Sequence, residues 1–516
     1  MKAFKPLKSM YIHNNRIYGD SILSTPQLRT YLKSKLRLHI LACCIVGGKF
    51  QLKEWYNYWG QGNATTTSLK HRRKEMSDFD PQVMNKAAEL LQNLIRFDTT
   101  NPPGNEVQCV SYINSLLTDA GFETTILARD SNRPNLIARL KGRGTAAPLL
   151  LYGHVDVVST ANQSWTHPPF EGKMIDGYIW GRGALDMKGG VAMMLAAFLR
   201  AKAEGLTPAG DIVLAILSDE ETGGDYGANY LVENHAEQFE GIRYAIGEFG
   251  GFPMYIGQQK FYAIQVADKC YCWMKVILRG PGGHASTPVR SGVMARLAKL
   301  LQSLDQHRLP VHVTPVARQM LESIAAAIPS PMNSAFLQLL DPALTDTVLD
   351  QLGLQGLMFD AMLHNTVNAT VVQGGEKINV IPGEIILKLD GRLLPGYTFD
   401  DMVAELRPII GDDIELEIIR YDPTILEPDM GLLDTLASIL RKADPDAIPV
   451  PLLLTATTDA KHFSRLGIQT YGFIPMNLPE EFILFNLIHA ADERIPVEAV
   501  NFGANAIYEA LQLCGE

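Results

Sequence analysis

No stretch of the 516-residue chain strings together the roughly 20 apolar residues that a membrane-spanning helix requires. Cysteine is scarce. Cys43, Cys44, Cys109, Cys270, Cys272 and Cys514 form no CxxC pair and no regular framework, which argues against a zinc–thiolate site and for a reducing compartment. Cys270 and Cys272 would share one face of a strand, where packing is the expected role. Neither GxGxxG nor GxxxxGKS is present, so phosphate-cradling loops are excluded. Without a GxSxG elbow or an activated-cysteine context, serine and cysteine hydrolysis have no support. Internal repeats at solenoid periods are also missing.

What is present suits a globular protein: 47% hydrophobic and 20% charged residues, with 43 glycines and 29 prolines. The length allows roughly three domains at about 150 residues each. The net charge of −10 is unevenly spread. Residues 1–75 hold 14 Lys and Arg against 3 Asp and Glu, leaving 32 basic and 53 acidic residues in the remainder. A body that acidic repels phosphate backbones, which argues against a nucleic-acid partner. No membrane partner is expected either.

The basic leader differs in character from the rest of the chain. Leu38–Val46 is apolar and comes after Lys33, Lys35 and Arg37, as in a signal peptide, but it is short, begins deep in the chain and contains His39. No small-residue cleavage site comes after it, so the expected location is cytoplasmic rather than secreted. Residues 1–75 read as a flexible basic extension or as the product of a start codon placed too early. Asp80 can cap a helix with Pro81 at its first position, and Val83, Ala87, Leu90, Leu91, Leu94 and Ile95 recur at helical spacing.

From there to about residue 268, short apolar strands alternate with helices: Leu149–Tyr152, a helix from Lys188, Ile212–Leu217, then Tyr244–Ile246. This predicts an α/β domain with a mostly parallel sheet, whose ligands gather at the carboxyl ends of the strands. Residues 269–423 read as an inserted α+β unit enlarged by a helical stretch at 316–363. Residues 424–516 return to the first domain, giving catalytic parts at 76–268 and 424–516.

Polar residues come directly after the strands. His154 and Asp156 are two apart; alone they suit a structural hydrogen-bonded pair as well as a metal-binding histidine held by a carboxylate. Asp186 lies just beyond Gly181-Arg182-Gly183, a run that permits a tight turn, and either grips a ligand or caps the next helix. Asp219-Glu220-Glu221 is costly unless solvated or neutralised by a cation. Glu248 and His489 say little singly. Together, His154, Asp186, Glu221, Glu248 and His489 make an N/O donor set suited to zinc, and one shared carboxylate would hold two ions about 3.5–4 Å apart.

At this point the sequence resembles the dizinc amidohydrolases and exopeptidases that include acetylornithine deacetylase, succinyl-diaminopimelate desuccinylase, aminoacylase and carboxypeptidase S. The motifs are Gly153-His154-Val155-Asp156-Val157-Val158, Trp165 with Pro168-Pro169-Phe170, Gly181-Arg182-Gly183 through Asp186-Met187-Lys188-Gly189-Gly190, Asp219-Glu220-Glu221-Thr222-Gly223-Gly224 and Gly282-Gly283-His284-Ala285-Ser286. The resemblance covers residues 80–516. It implies a zinc-exopeptidase-like α/β/α catalytic domain with an inserted ferredoxin-like lid that also dimerises the protein.

The resemblance further implies two Zn²⁺ per subunit, with Co²⁺ or Mn²⁺ as substitutes. His154 and Glu248 would bind one ion, Glu221 and His489 the other, Asp186 would bridge them, and Asp156 would support His154. Glu220 would take a proton from the metal-bridging water and deliver it to the leaving amine. His284 would stabilise the oxyanion, in family dimers from the opposite subunit. Asn379 and Arg392 would grip the substrate, Arg392 by its carboxylate. The family loop at Thr458-Asp459-Ala460 usually continues with Arg, where this chain has Lys461, and no role is carried over there. The expected substrate is a small peptide or N-acyl amino acid, cleaved by a carboxypeptidase S-like exopeptidase or a deacylase. A dipeptidase is the enzymatic alternative. A binding or scaffold module would be the non-enzymatic one, had any ligand position been lost, but all five are intact.

Overall fold

The apolar hexapeptides Leu149–His154 and Ile212–Leu217, buried at every residue, are adjacent parallel strands in a nine-stranded sheet. The computed structural model describes residues 81–423 and 427–514; the basic segment 1–75 and the cap expected of Asp80 lie outside the described residues. In chain order the strands are β1 (Thr124–Leu127), β2 (Asn135–Leu140), β3 (Leu149–His154), β4 (Ile212–Leu217), β5 (Tyr244–Gly247), β6 (Phe252–Ile256) and β7 (Gln259–Asp268). The insertion supplies β8 (Cys270–Arg279), β9 (Thr366–Gln373), β10 (Glu384–Leu393) and β11 (Glu415–Tyr421), and the chain returns with β12 (Ile448–Leu454) and β13 (Gln469–Gly472).

The large sheet runs β1-β2-β4-β3-β5-β13-β7-β12, with β6 beside β7. Its middle four strands, β4, β3, β5 and β13, are mutually parallel. Alternate residues of one strand enter two separate cores: Ile212, Leu214 and Ile216 face one, Val213, Ala215 and Leu217 the other. A strand covered on both faces must be apolar at every position, which is why these segments read as unbroken hydrophobic runs. One face is covered by helices Pro81–Ile95, Lys188–Ala203 and Val497–Leu513, the other by Ala228–Asn234 and Phe463. The result is the expected α/β/α sandwich. Gly503 lets the last helix approach Lys188–Ala203: a Cβ there would lie 2.2 Å from Met193 Sδ and 2.5 Å from the Pro475 carbonyl.

The small sheet is antiparallel in the order β9-β10-β8-β11, with helices Val293–Gln306 and Phe399–Ile410 in its connections. That βαββαβ chain order and strand order are ferredoxin-like. Cys270, Cys272, Met274, Val276 and Leu278 alternate into its core with Leu300, Leu387 and Leu406, so both cysteines pack as expected. The helical stretch at 316–363 departs from its expected place. Val316, Met320, Ile324, Phe336 and Phe359 join the core of the large sheet, and helix Pro315–Ala327 lies along β12 and β7. It extends the catalytic layer rather than the lid, because the edge strand β12 is apolar from Val450 to Leu454 and needs a cover.

Candidate metal centre

Three of the five candidate ligands sit at the carboxyl ends of neighbouring parallel strands. His154 ends β3, Glu221 lies in the turn after β4, and Glu248 comes directly after β5. Asp186 precedes helix Lys188–Ala203, and His489 lies in the loop between β13 and the last helix. The backbone at His489 is left-handed (φ 59°), as it is at Asp219 (71°) and Phe249 (67°) beside the other ligands. Non-glycine residues hold such conformations only where the surrounding structure dictates them.

His154 Nε2 lies 3.2 Å from Asp186 Oδ1 and 3.3 Å from Glu248 Oε2. His489 Nε2 lies 3.1 Å from Asp186 Oδ2 and 3.3 Å from Glu221 Oε2. Asp186 thus gives one oxygen to each side. The ligand atoms of each group, His154–Asp186–Glu248 and Asp186–Glu221–His489, lie within 4.8 Å of one another. Despite these contacts, buried His154 Nε2 and Glu221 Oε1 have no hydrogen-bond partner. Donor atoms crowded round a common point without bonding each other fit a pair of cations, and two imidazoles with three carboxylates are a donor set for zinc or similar ions.

The surroundings set each ligand. His154 Nδ1 lies 3.0 Å from the Asp156 carbonyl oxygen, which can only accept, so Nδ1 carries the proton and the Nε2 lone pair faces the cluster. The Asp156 carboxylate is farther from that ring, at 3.5 Å, and instead accepts the amides of Glu220 (3.1 Å) and Glu221 (3.2 Å) and the Asn101 side chain (2.8 Å). Its support therefore reaches the acidic turn as much as the histidine. Within that turn Asp219 is neutralised by Arg133 at 2.8 Å, which also pairs with Glu106 at 2.9 Å, and Glu221 meets His489. Glu220 is left without such a partner. Burial raises its carboxyl well above the ordinary range, and the charge of Glu248 adds to the shift.

Burial and the charge of Asp186 push Glu221 up to about 7. Contacts with Asp186 and Glu221 raise His489 to about 10. Burial alone would raise Asp186, yet His154 and His489 hold it well below the usual carboxylate range.

Several supports were not singled out from the sequence. Buried Glu493 accepts the amides of Gly183 (3.1 Å), Leu185 (2.7 Å) and Asp186 (3.2 Å) and pairs with Arg182 at 2.7 Å, which fixes the loop carrying the shared ligand. Asn101 ties Asp156 to Asp219. The glycine-rich run at 181–183 was the visible half of the first arrangement; its partner lies some 310 residues away.

The lid residues are placed differently. His284 and Asn379 stand on an exposed two-stranded antiparallel ribbon formed by Gly283–His284 and Val380–Ile381, where His284 Nδ1 meets Ser286 Oγ at 2.7 Å. No hydrogen bond or ion pair joins either to the ligand cluster among the described residues. Arg392 lies where lid and catalytic domain meet, but Asp390 already holds its fork (2.8 and 3.0 Å) and Thr457 Oγ1 a third donor at 3.2 Å.

Comparison with known proteins agrees with this architecture. Residues 150–513 match the family described as Peptidase family M20/M25/M40. The chain is 29% identical to the probable carboxypeptidase S-like protein 2 of Dictyostelium discoideum over 68% of each chain. It is 27% identical to the human N-fatty-acyl-amino acid synthase/hydrolase PM20D1, over 71% of this chain and 74% of that one. In fold it is similar to the M20 family metallo-carboxypeptidase Sso-CP2 from Sulfolobus solfataricus, with a TM-score of 0.60 at 17% identity, covering 83% of this chain and 99% of that one. The matched residues include every candidate ligand and Glu220, and the chain belongs to peptidase family M20/M25/M40 as a metal-dependent hydrolase of amide bonds.

Proposed function

We propose that this hydrolase releases an amino acid bearing a free carboxylate from an N-acyl or N-peptidyl precursor, with two zinc ions per chain. The shared carboxylate of Asp186 between two three-residue ligand groups carries the reading. His154 and Glu248 hold one ion, Glu221 and His489 the other. A bound ion pair supplies Lewis acidity for the scissile carbonyl and lowers the pKa of water. Glu220, half-buried and without an ion-pair partner, takes the proton of the attacking water and passes it to the departing nitrogen, a task its raised pKa suits. Asp156 holds the turn that carries Glu220, and Glu493 fixes the loop that carries Asp186.

An apolar acyl side is supported by the aromatic cluster next to the ligands. Phe249, adjacent to Glu248, packs with Phe252 and Phe485, and Phe485 (54% exposed) and Ile483 (57%) lie on the loop leading to His489. The names of the relatives, a carboxypeptidase S-like protein and an N-fatty-acyl-amino acid hydrolase, agree with this.

His284 and Asn379 act on the centre of a second copy in this reading, since their own two-stranded ribbon is solvent-facing. The lid edge strand β9, with Val371 and Val372 exposed, supports a homodimer through the lid. Buried thiols at Cys109, Cys272 and Cys514 suit a cytoplasmic setting. The test is turnover of N-acyl amino acids, N-blocked dipeptides and free dipeptides by the zinc-loaded enzyme. The first two are expected as substrates; activity confined to free dipeptides would make the protein a dipeptidase instead.

A further inference from the structure

Lys461 is the cation of the site with nothing to hold. It is 2% exposed, and its Nζ has no hydrogen-bond partner and no ion pair among the described residues. Burying an ammonium without an acceptor is strongly unfavourable, so a fold that does so reserves the group for an incoming anion. Its neighbour Asp459, fully buried with both carboxylate oxygens unpaired, does not come within ion-pair distance of it. Lys461 Nζ lies 5.3 Å from the centre of the Tyr271 ring, and Arg392 and Arg420 lie 4.3 and 6.0 Å from the same ring. Both arginines are committed, Arg392 to Asp390 and Thr457, Arg420 to Asp422 at 2.6 Å and the Gly223 carbonyl at 3.5 Å. The next residue, His462, has its Nε2 3.1 Å from the carbonyl oxygen of Gly223, and a Cβ on Gly224 would lie 3.0 Å from Asp459 Oδ1, so the segment carrying Lys461 packs against the turn that carries Glu220.

The position relative to Glu220 identifies the anion. The group that protonates the leaving nitrogen must stand beside it, and in an amino acid the α-carboxylate is two bonds from that nitrogen. A free cation on the Glu220 side therefore faces the leaving amino acid and not the acyl chain. We infer that Lys461, rather than Arg392, binds the α-carboxylate of the leaving amino acid and is the residue by which the enzyme selects substrates with a free carboxyl terminus. The inference rests on the reading that the product is an amino acid. Arg392 contributes through Tyr271 and Thr457, closing the lid side of the same site.

The experiment compares N-acetyl-leucine with N-acetyl-leucinamide, measured as acetate release, in the zinc-loaded enzyme and in K461M and K461R. The unaltered enzyme is expected to prefer the acid. In K461M the KM for the acid should rise at least 30-fold with a much smaller change in kcat. The carboxamide should lose less than tenfold in kcat/KM, so the preference collapses while zinc content stays the same. K461R should recover most of the preference. An equal fall in kcat for both substrates would show that Lys461 only tunes Glu220, and a preference retained in K461M would assign the carboxylate to another residue; either overturns the inference alone. If the unaltered enzyme cleaves neither substrate nor any other N-acyl amino acid, the proposed function fails and this inference with it.

Discussion

Glu220 and Glu221 are chemically identical neighbours with opposite duties, and the difference lies in what each side chain meets. Glu221 meets His489 and the shared aspartate, whereas Glu220 finds no partner and keeps a proton readily. Glu220→Gln should therefore bind metal normally and lose about 10²–10⁴-fold in kcat, checked by metal analysis beside steady-state rates. Near-normal turnover would remove Glu220 from the proton path. His284→Ala should slow hydrolysis without lowering metal content; loss of metal would make His284 a ligand.

Residue by residue, four ligands carried a mark in the sequence, His154, Glu221 and Glu248 just after apolar strands and Asp186 after a glycine run, whereas His489, in a loop, carried none and joined them only as part of the whole donor set. Their supports could not be read from the sequence. Arg133 is 86 residues from Asp219, and Glu493 more than 300 from the loop it holds. An isolated Arg or Glu in sequence looks the same whether it is solvated or buried against a distant partner.

Among the elements, the strands of the large sheet announced themselves through unbroken apolar runs and the insertion through its change to an α+β pattern, while its ferredoxin-like form was implied only by the family resemblance. The helices at 315–363 did not reveal which sheet they cover, since an amphipathic stripe specifies a buried face and not the partner. The strap between the two sheets was equally silent. Lys269, the single residue between β7 and β8, is fully buried and donates to the carbonyls of Ala361 (3.1 Å) and His364 (2.8 Å) and to Thr366 Oγ1 (2.9 Å), where the chain passes from the helices at 315–363 into β9. Burial depresses its pKa to about 7.

A lysine depressed in the folded state binds fewer protons there than when unfolded, so it penalises stability fully below pH 7, and the penalty is relieved as pH rises toward 10.5. The stability of the unaltered chain relative to Lys269→Met should accordingly rise between pH 7 and 10, with a slope of up to about 1.4 kcal/mol per pH unit. Denaturant titrations at saturating zinc check this; a flat difference would mean that Lys269 stays charged throughout.

Considered as a whole molecule, the protein joins an α/β/α body, which presents acids and imidazoles at the ends of parallel strands, to a lid whose two-stranded ribbon faces solvent. Because a cation must displace protons from His489 and Glu221, metal affinity should weaken as pH falls, seen by chelator competition at pH 6, 7 and 8. An affinity unchanged over that range would place the metal on other groups.

Metal stoichiometry coupled to activity probes the centre most deeply. The purified chain should carry two zinc ions, lose hydrolysis of an N-acyl amino acid on thorough chelation, and regain it as zinc is restored to two equivalents. Asp186→Ala should retain neither ion tightly. Full activity after chelation, or an Asp186→Ala variant that still holds two ions and turns over normally, would contradict the proposal that Asp186 joins two ligand groups into one catalytic centre.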